Sequence, residues 1–141
     1  MTTKSINIGE LKPYIDIAFS NDDDLLKYYD RAEKIKTLEE ACENTFKKIS
    51  IIYPDAYIIG IEIDGNKKGY FVYGNNLLIS FGMNKECRNE KTLIDFWEQI
   101  REKVGDNFQC IMNSCNQRAI GFLKKHGMKP LFENVTILTN N

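Results

Sequence analysis

The sequence lacks the features that mark several classes of protein. It has one histidine and four cysteines, and no two cysteines stand in the C-x-x-C spacing of zinc sites, so we expect no metal site. No apolar run reaches the roughly 18 residues that a membrane helix needs, and the start MTTKSINIGE contains no apolar signal segment. We therefore expect a cytoplasmic protein, in which Cys42, Cys87 and Cys110 stay reduced as small core residues.

The charge balance and the lack of linkers also limit the possible partners and the number of domains. The net charge is −1 and the lysines occur as scattered pairs, so no overall field attracts nucleic acid or an anionic membrane. No Gly/Ser-rich linker, repeat or low-complexity segment divides the 141 residues. This length suits one domain with a substantial core, and we interpret residues 1–141 as a single domain.

The part of the chain that organises the rest is predicted to be strand, helix, strand and helix. Leu77–Met83 is a short apolar run typical of a buried strand. Residues 91–104 carry apolar side chains three and four positions apart, which is one face of a helix. Residues 108–112 alternate as a strand does, and Asn116 can cap a helix that ends at Gly127. The two strands, joined by a helix, are expected to be parallel.

The first third of the chain is predicted to be helical. Residues 11–19 have apolar side chains at helical spacing, so Pro13 is acceptable only in the first turn. Asn21 can cap a second helix, and the three aspartates after it suit the positive end of the helix dipole better than they suggest a cation site. Thr37 and Glu40 have the capping-box pattern that starts a third helix.

The middle and the end of the chain predict antiparallel strands. Residues 57–63, 68–73 and 77–83 are apolar or alternating, and Asp, Asn and Gly residues between them accept the positive φ of tight turns. Residues 128–132 and 135–139 predict a final hairpin around a Glu-Asn turn. The order is helices, three antiparallel strands, helix, strand, helix and hairpin, which is an α/β (α+β) arrangement.

One segment of this arrangement has a family counterpart. Residues 116–128 read NQRAIGFLKKHGM, which is similar to the signature Asn-x-x-Ala-hydrophobic-x-hydrophobic-Tyr-x-x-x-Gly-Phe. This signature belongs to the GCN5-related N-acetyltransferase (GNAT) superfamily, which residues 60–128 resemble. The resemblance implies a GNAT-like acyl-CoA N-acyltransferase fold, a mixed central sheet with a splayed parallel strand pair flanked by helices. It also implies that the pantetheine arm of acetyl-CoA would enter between those two strands.

The resemblance places a cofactor site at the end of the Leu77–Met83 strand and the start of the next helix. Backbone N–H groups at a helix N-terminus favour a phosphate anion, which is the physical basis of such a site. If acetyl-CoA binds, the implied contact residues are Phe81, Met83, Arg88, Lys91, Thr92 and Asn116. No metal ligand is implied.

The sequence departs from the family pattern where phosphate would bind and where a proton would be donated. The family has glycines where this chain has Lys91 and Leu93, and a Cβ atom obstructs close backbone contact with phosphate. Glu90 adds a negative charge beside them. Leu123 stands where the family has its proton-donating tyrosine, and leucine cannot donate a proton. We therefore interpret Arg88 and Lys91 as solvated charges of an ordinary helix start.

No catalytic residue is assigned from the sequence. Cys115 and His126 lie near position 123 and could replace the missing proton donor, although a surface position near the helix C-terminus is the simpler interpretation of His126. Glu62 is a general-base candidate by its position on the second predicted strand, or else an outward-facing strand residue.

Two functions remain open. We expect a non-catalytic GNAT-fold protein that binds no cofactor and contacts other protein chains, with tyrosine anchors at Tyr28, Tyr29, Tyr53 and Tyr57. The segment that starts at Arg88 and lacks the family glycines, and the helix that carries Trp97, also resemble GNAT-like proteins of tailed bacteriophages. Some of those proteins are virion components. That resemblance implies a location in the host cytoplasm or the virion. The alternative is an N-acetyltransferase that uses acetyl-CoA and acts on an unidentified amine.

Overall fold

The described residues, which are 1–113, 115–132 and 136–139 of a computed structural model, form a seven-stranded mixed sheet flanked by five α-helices. The strands are β1 (Thr2–Ile6), β2 (Tyr57–Ile63), β3 (Asn66–Gly74), β4 (Leu77–Met83), β5 (Gln109–Met112), β6 (Lys129–Phe132) and β7 (Thr136–Thr139). The helices are α1 (Ile8–Phe19), α2 (Asp23–Glu33), α3 (Leu38–Ile52), α4 (Glu90–Val104) and α5 (Gln117–Lys125). None of these helices is long and apolar enough to cross a membrane.

The strand order is β1-β2-β3-β4-β5-β7-β6, and the one parallel pair among the described strands is β4 with β5. The described pairing of these two strands joins Leu77 to Gln109 and Leu78 to Cys110. Beyond these pairs the strands separate toward their carboxyl ends. The predicted splayed parallel pair is confirmed, and the gap between the two strands opens beside the start of α4.

Helices cover both faces of the sheet. Tyr70 and Val72 of β3 pack in the cluster that α1 and α3 form on one face. Phe71 and Tyr73 pack on the other face, with α4 and α5. The predicted alternation of this strand is therefore confirmed. The predicted core positions of Cys42 and Cys110 are also confirmed, one on each face, whereas Cys87 is half-buried.

The start of α1 differs from the prediction. The helix begins at Ile8, three residues earlier than the apolar pattern indicated, because the Glu10 side chain accepts a hydrogen bond from the Asn7 N–H at 3.2 Å. Pro13 consequently lies inside the helix, in its second turn, and the expectation that it belongs to the first turn is wrong. Its ring is exposed to solvent.

The start of α2 is also shifted by one residue. Asn21 has a left-handed backbone with φ 58°, and the cap is Asp22, whose carboxylate accepts a hydrogen bond from the Leu25 N–H at 3.2 Å. The predicted cap at Asn21 is therefore wrong, while the predicted cap at Thr37 of α3 is confirmed. The Glu-Asn turn and the strand residue 135 of the last predicted hairpin lie outside the described residues.

Candidate functional site

A cavity of about 370 Å³ lies where β4 and β5 separate, and we call it the gap cavity. Its lining comes from the end of β4, the start of α4, one side of α5, the end of α1 and the start of α2. Ala18 belongs to the core on the α1 face of the sheet, whereas Phe96 belongs to the core on the α4 face. The gap cavity therefore reaches both faces of the sheet.

The structure brings together part of the predicted cofactor site. The predicted residues that line the gap cavity are Phe81, Met83, Arg88 and Asn116. Lys91 and Thr92 do not belong to this lining, because Lys91 is exposed at the outer side of α4. The Thr92 N–H donates to the side chain of the helix cap Asn89 at 2.9 Å. Whether any of these residues contacts a cofactor stays a prediction.

Arg88 is not the solvated side chain that the sequence indicated. Its Nη2 donates to Asp22 Oδ2 at 2.6 Å, and its Nε donates to the Met83 carbonyl at 2.9 Å. Nη2 of Arg118, in the first turn of α5, donates to the same Asp22 oxygen at 2.7 Å. We call Asp22, Arg88 and Arg118 the Asp22 cluster. It joins the α1–α2 turn to the segments after β4 and after β5, on both sides of the gap.

The central carboxylate of the Asp22 cluster is fully buried and charged. Asp22 is 0% exposed, and its other oxygen caps α2. Burial raises the pKa of Asp22, but the hydrogen bonds from Arg118 and Arg88 outweigh it and hold the pKa below its ordinary value. Asp24 lies 3.5 Å from the Arg118 guanidinium, so two carboxylates face the two arginines. The Asp22 cluster alone has one more positive than negative charge, and it becomes close to electrically neutral only together with Asp24.

No local sequence signal reveals the Asp22 cluster. The three aspartates were interpreted as helix-start residues, and that interpretation is correct for the cap on α2. The two ion pairs, however, span 66 and 96 residues of sequence. These charges come together only in the folded chain, where the α1–α2 turn, the segment after β4 and the start of α5 lie side by side.

The helix α5 presents a different side to the gap cavity than the family signature implies. Leu123, at the position of the family tyrosine, is 0% exposed in the core and is not part of the cavity lining. Phe122 lines the gap cavity and is half-buried, with its ring centroid 5.6 Å from Phe81 and 6.1 Å from Phe96. Phe122 therefore packs against the core from the side of the cavity.

His126 is half-buried beside the gap cavity and is not an ordinary surface residue. Its ring stacks on Trp97 with centroids 5.1 Å apart and meets Phe122 edge-on at 4.9 Å. Burial lowers the pKa of His126, and the nearby Lys125 lowers it further, so the imidazole is neutral at pH 7. Cys115, the other predicted substitute for the acid, is not among the residues that line the cavity.

Glu62 lies apart from the gap cavity. Its carboxylate accepts a hydrogen bond from the Tyr14 hydroxyl at 2.9 Å and pairs with the Lys4 ammonium at 3.0 Å. The hydrogen bond from Lys4, followed by that from Tyr14, holds the pKa of Glu62 below its ordinary value. An ion-paired carboxylate outside the cavity lining is poorly placed to act as its general base.

The Asp22 cluster predicts a specific loss of stability in acid. Because the pKa of Asp22 is lower in the folded state than the ordinary value of about 3.9, its contribution is fully present above about pH 5 and is lost as the pH falls through about 4 toward the folded value. We expect Asp22→Asn to lose less free energy of unfolding than the wild type between about pH 5 and 3, as measured by urea denaturation. Asp23→Asn, at an exposed position, should lose as much free energy of unfolding over this pH range as wild type does. An equal loss in wild type and Asp22→Asn would contradict the role given to the Asp22 carboxylate.

No protein-family model matches the sequence, and no curated protein matches it at a significant level. Solved structures match along nearly the whole chain. The PaiA N-acetyltransferase of Thermoplasma acidophilum, in complex with coenzyme A, is 16% identical with a TM-score of 0.65, and the match covers 100% of this chain and 99% of that one. An acetyltransferase of Thermus thermophilus is 11% identical with a TM-score of 0.70, covering 99% and 96%.

A third solved structure gives the same result. The GCN5-related N-acetyltransferase of Rhodopseudomonas palustris is 12% identical with a TM-score of 0.66, and the match covers 99% of this chain and 94% of that one. These structural likenesses agree with the mixed sheet, the splayed pair of β4 and β5 and the helices on both faces. The chain therefore has the fold of the GCN5-related N-acetyltransferases, as a divergent example in sequence.

Proposed function

We propose that this chain is a GNAT-fold protein that does not transfer acetyl groups at a useful rate and works through contacts with other protein chains. The observation that carries the proposal is the Asp22 cluster. Arg88, the residue expected to meet the pyrophosphate of acetyl-CoA, donates to a buried carboxylate of its own chain. Its charge is therefore already neutralised, and a phosphate gains little by approaching it.

The start of α4 supports the same proposal. Leu93 lines the gap cavity at the position of a family glycine, so a side chain stands where phosphate would approach the backbone. Glu90 also lines the cavity and places a like charge beside that position. Like charges in a partly desolvated site weaken binding of the charged form. Neither residue favours a pyrophosphate.

An exposed apolar surface supports the role in protein contacts. Ile51 and Ile52 at the end of α3 are 77% and 60% exposed, and Tyr57 at the start of β2 is 64% exposed. The Tyr57 ring stacks on Tyr73 with centroids 5.2 Å apart, which holds it in place. Tyr29 is half-buried and bonded through its hydroxyl to Thr45, so Tyr57 is the best of the predicted tyrosine anchors. The sequence resemblance to phage proteins suggests a virion as one such assembly.

The proposal is tested by measuring activity and assembly on the same preparation. Acetyl transfer from acetyl-CoA to a panel of primary amines is followed by thiol release, and the assembly state is followed by light scattering. We expect no transfer above the uncatalysed rate, and loss of association when Tyr57→Asp is combined with Ile52→Asp. Turnover that disappears when Ala119→Trp fills the gap cavity would overturn the proposal.

The second candidate is an N-acetyltransferase, and the gap cavity itself favours it. Its volume of about 370 Å³ lies within the range of small-molecule sites, about 300–1,000 Å³. Because the cavity reaches both faces of the sheet, an acyl donor and an amine could meet in the gap. Backbone N–H groups of β4 that face the gap would hold the thioester carbonyl, and proximity would supply much of the rate.

Restoring the glycines is expected to restore some affinity for CoA. Lys91→Gly with Leu93→Gly removes two Cβ atoms at the start of α4, and one gained hydrogen bond to a phosphate corresponds to about a tenfold lower Kd. Calorimetric titration of CoA measures the change. The control is Lys91→Gly alone, which keeps Leu93 and changes no residue of the cavity lining. Equal Kd values for the double and the single variant would show that Leu93 does not obstruct phosphate.

A further inference from the structure

The two arginines of the Asp22 cluster line the gap cavity but direct their bonds inward. Among the described residues, Arg88 makes two hydrogen bonds, to Asp22 and to the Met83 carbonyl. Arg118 makes one, to Asp22, and pairs with Asp24. A guanidinium has five N–H donors, so both side chains keep the capacity to bind an anion. The two arginines add no net charge to the cavity, because the carboxylates of Asp22 and Asp24 balance them.

A polyanion entering the gap cavity would have to compete with Asp22. This carboxylate is 0% exposed and at the same time caps α2, so moving it would cost both a buried ion pair and a helix cap. Without that movement the polyanion meets two arginines that Asp22 and Asp24 already balance. The other charges of the lining, the Glu90 carboxylate and the Lys125 ammonium, offset each other. An uncharged ligand meets no such conflict.

The rest of the gap cavity suits an uncharged ligand. Its walls include aromatic and aliphatic side chains from β4, α4 and α5, such as Phe81, Leu93, Ile94 and Phe122. Such walls favour a ligand with few charges, since apolar surface removed from water stabilises the complex. The pantetheine arm has this chemistry, whereas the pyrophosphate and nucleotide of CoA do not.

We infer that Asp22 is a specificity-determining residue, whose carboxylate binds both Arg88 and Arg118 and, together with that of Asp24, balances their charge, so that the gap cavity favours uncharged ligands over polyanions. The inference rests on the proposed loss of acetyl-CoA use and names the residue that causes it. Asp22→Asn separates the charge of this residue from its structural role, because asparagine caps a helix about as well as aspartate.

The experiment compares wild type and Asp22→Asn in calorimetric titrations with three probes: CoA, inorganic pyrophosphate and pantetheine. We expect Asp22→Asn to bind CoA and pyrophosphate about tenfold or more tightly than wild type does, the effect of one gained charge-assisted hydrogen bond. Pantetheine, which carries no phosphate, should bind both proteins equally. Adding Arg118→Gln to Asp22→Asn should remove most of the gain.

The matched control is Asp23→Asn, which removes the same charge from an exposed position in the first turn of α2. It should leave all three affinities unchanged. An equal gain in Asp23→Asn would overturn the inference, because the effect would then be that of overall charge. An equal gain for pantetheine in Asp22→Asn would overturn it too, because the cavity would then have opened for every ligand.

A thermal measurement keeps the inference testable if Asp22→Asn is destabilised. A ligand that binds the folded state raises Tm with its concentration, so pyrophosphate should raise the Tm of Asp22→Asn more than that of wild type. Equal Tm shifts, or equally weak CoA binding by both folded proteins, would overturn this inference and leave the proposed function standing. Tight CoA binding by the wild type would overturn the proposed function as well.

Discussion

Asp22→Ala is expected to lower the free energy of unfolding by about 3–5 kcal/mol, the cost of removing one partner from a buried ion pair. The carboxylate is fully buried, accepts from two arginines and caps α2, so its removal leaves one Nη2 group of each arginine and one helix N–H without an acceptor. Urea denaturation monitored by circular dichroism measures the change. Among the described residues, no acidic residue within α2 both pairs with the two arginines and caps the helix as Asp22 does.

Asp24→Ala is the matched control for this prediction. Asp24 lies two residues after Asp22 in the first turn of α2, is 69% exposed and approaches Arg118 at 3.5 Å. An exposed pair of this kind contributes about 0–1 kcal/mol, so the variant should stay close to wild type. If Asp22→Ala and Asp24→Ala cost the same, the buried cluster does not hold the α1–α2 turn against the gap.

Trp97→Ala is the second substitution with a large expected effect, a loss of about 3–5 kcal/mol in the free energy of unfolding. Trp97 is 4% exposed and packs between α4, β5 and α5, with its ring centroid 5.7 Å from Phe108 and 5.9 Å from Phe122. It also stacks on His126. Removing the indole leaves a cavity among these rings, which the surrounding helices can fill only in part.

Ile94→Ala serves as the control on the same helix. Ile94 is 47% exposed, so its truncation is expected to cost less than about 1 kcal/mol. Chemical denaturation of both variants under identical conditions makes the comparison. A loss below about 1 kcal/mol for Trp97→Ala would show that the indole is exposed in solution, where it would become a candidate interface residue.

Local signals in the sequence predicted the sheet well. The strands β2 and β4 have the predicted bounds, because the turn after β2 and the turn before β4 carry residues suited to positive φ. Asp64 and Gly65 adopt φ 53° and 78°, and Asn75 and Asn76 adopt 51° and 59°. The parallel pairing of β4 and β5 followed from the helix between them, since such a connection cannot form a tight antiparallel turn.

The side of α5 that faces the gap cavity could not be predicted from periodicity. Phe122 and Leu123 are adjacent and both apolar, so the pattern marks both as core. The helix turns Leu123 into the core and Phe122 toward the cavity. The rotation of α5 about its own axis decides this difference, and that rotation depends on the packing of the whole face.

The charges at the cavity mouth were the least predictable part of the site. The resemblance to the family drew attention to Arg88 as a phosphate ligand, and its neighbours suggested a solvated charge instead. Its partner comes from the α1–α2 turn, 66 residues earlier in the sequence. Pairing over such a distance leaves no trace in local composition, so only the folded arrangement reveals that this arginine is already neutralised.

Calorimetric titration of acetyl-CoA into the wild-type chain tests the central claim most directly, because the claim is that the arginines needed for pyrophosphate binding are already paired with Asp22. We expect no saturable heat up to about 1 mM acetyl-CoA, the upper end of typical KM values. The same titration of Asp22→Asn should give a measurable Kd. One-site binding of acetyl-CoA to the wild type at micromolar concentration would contradict the account.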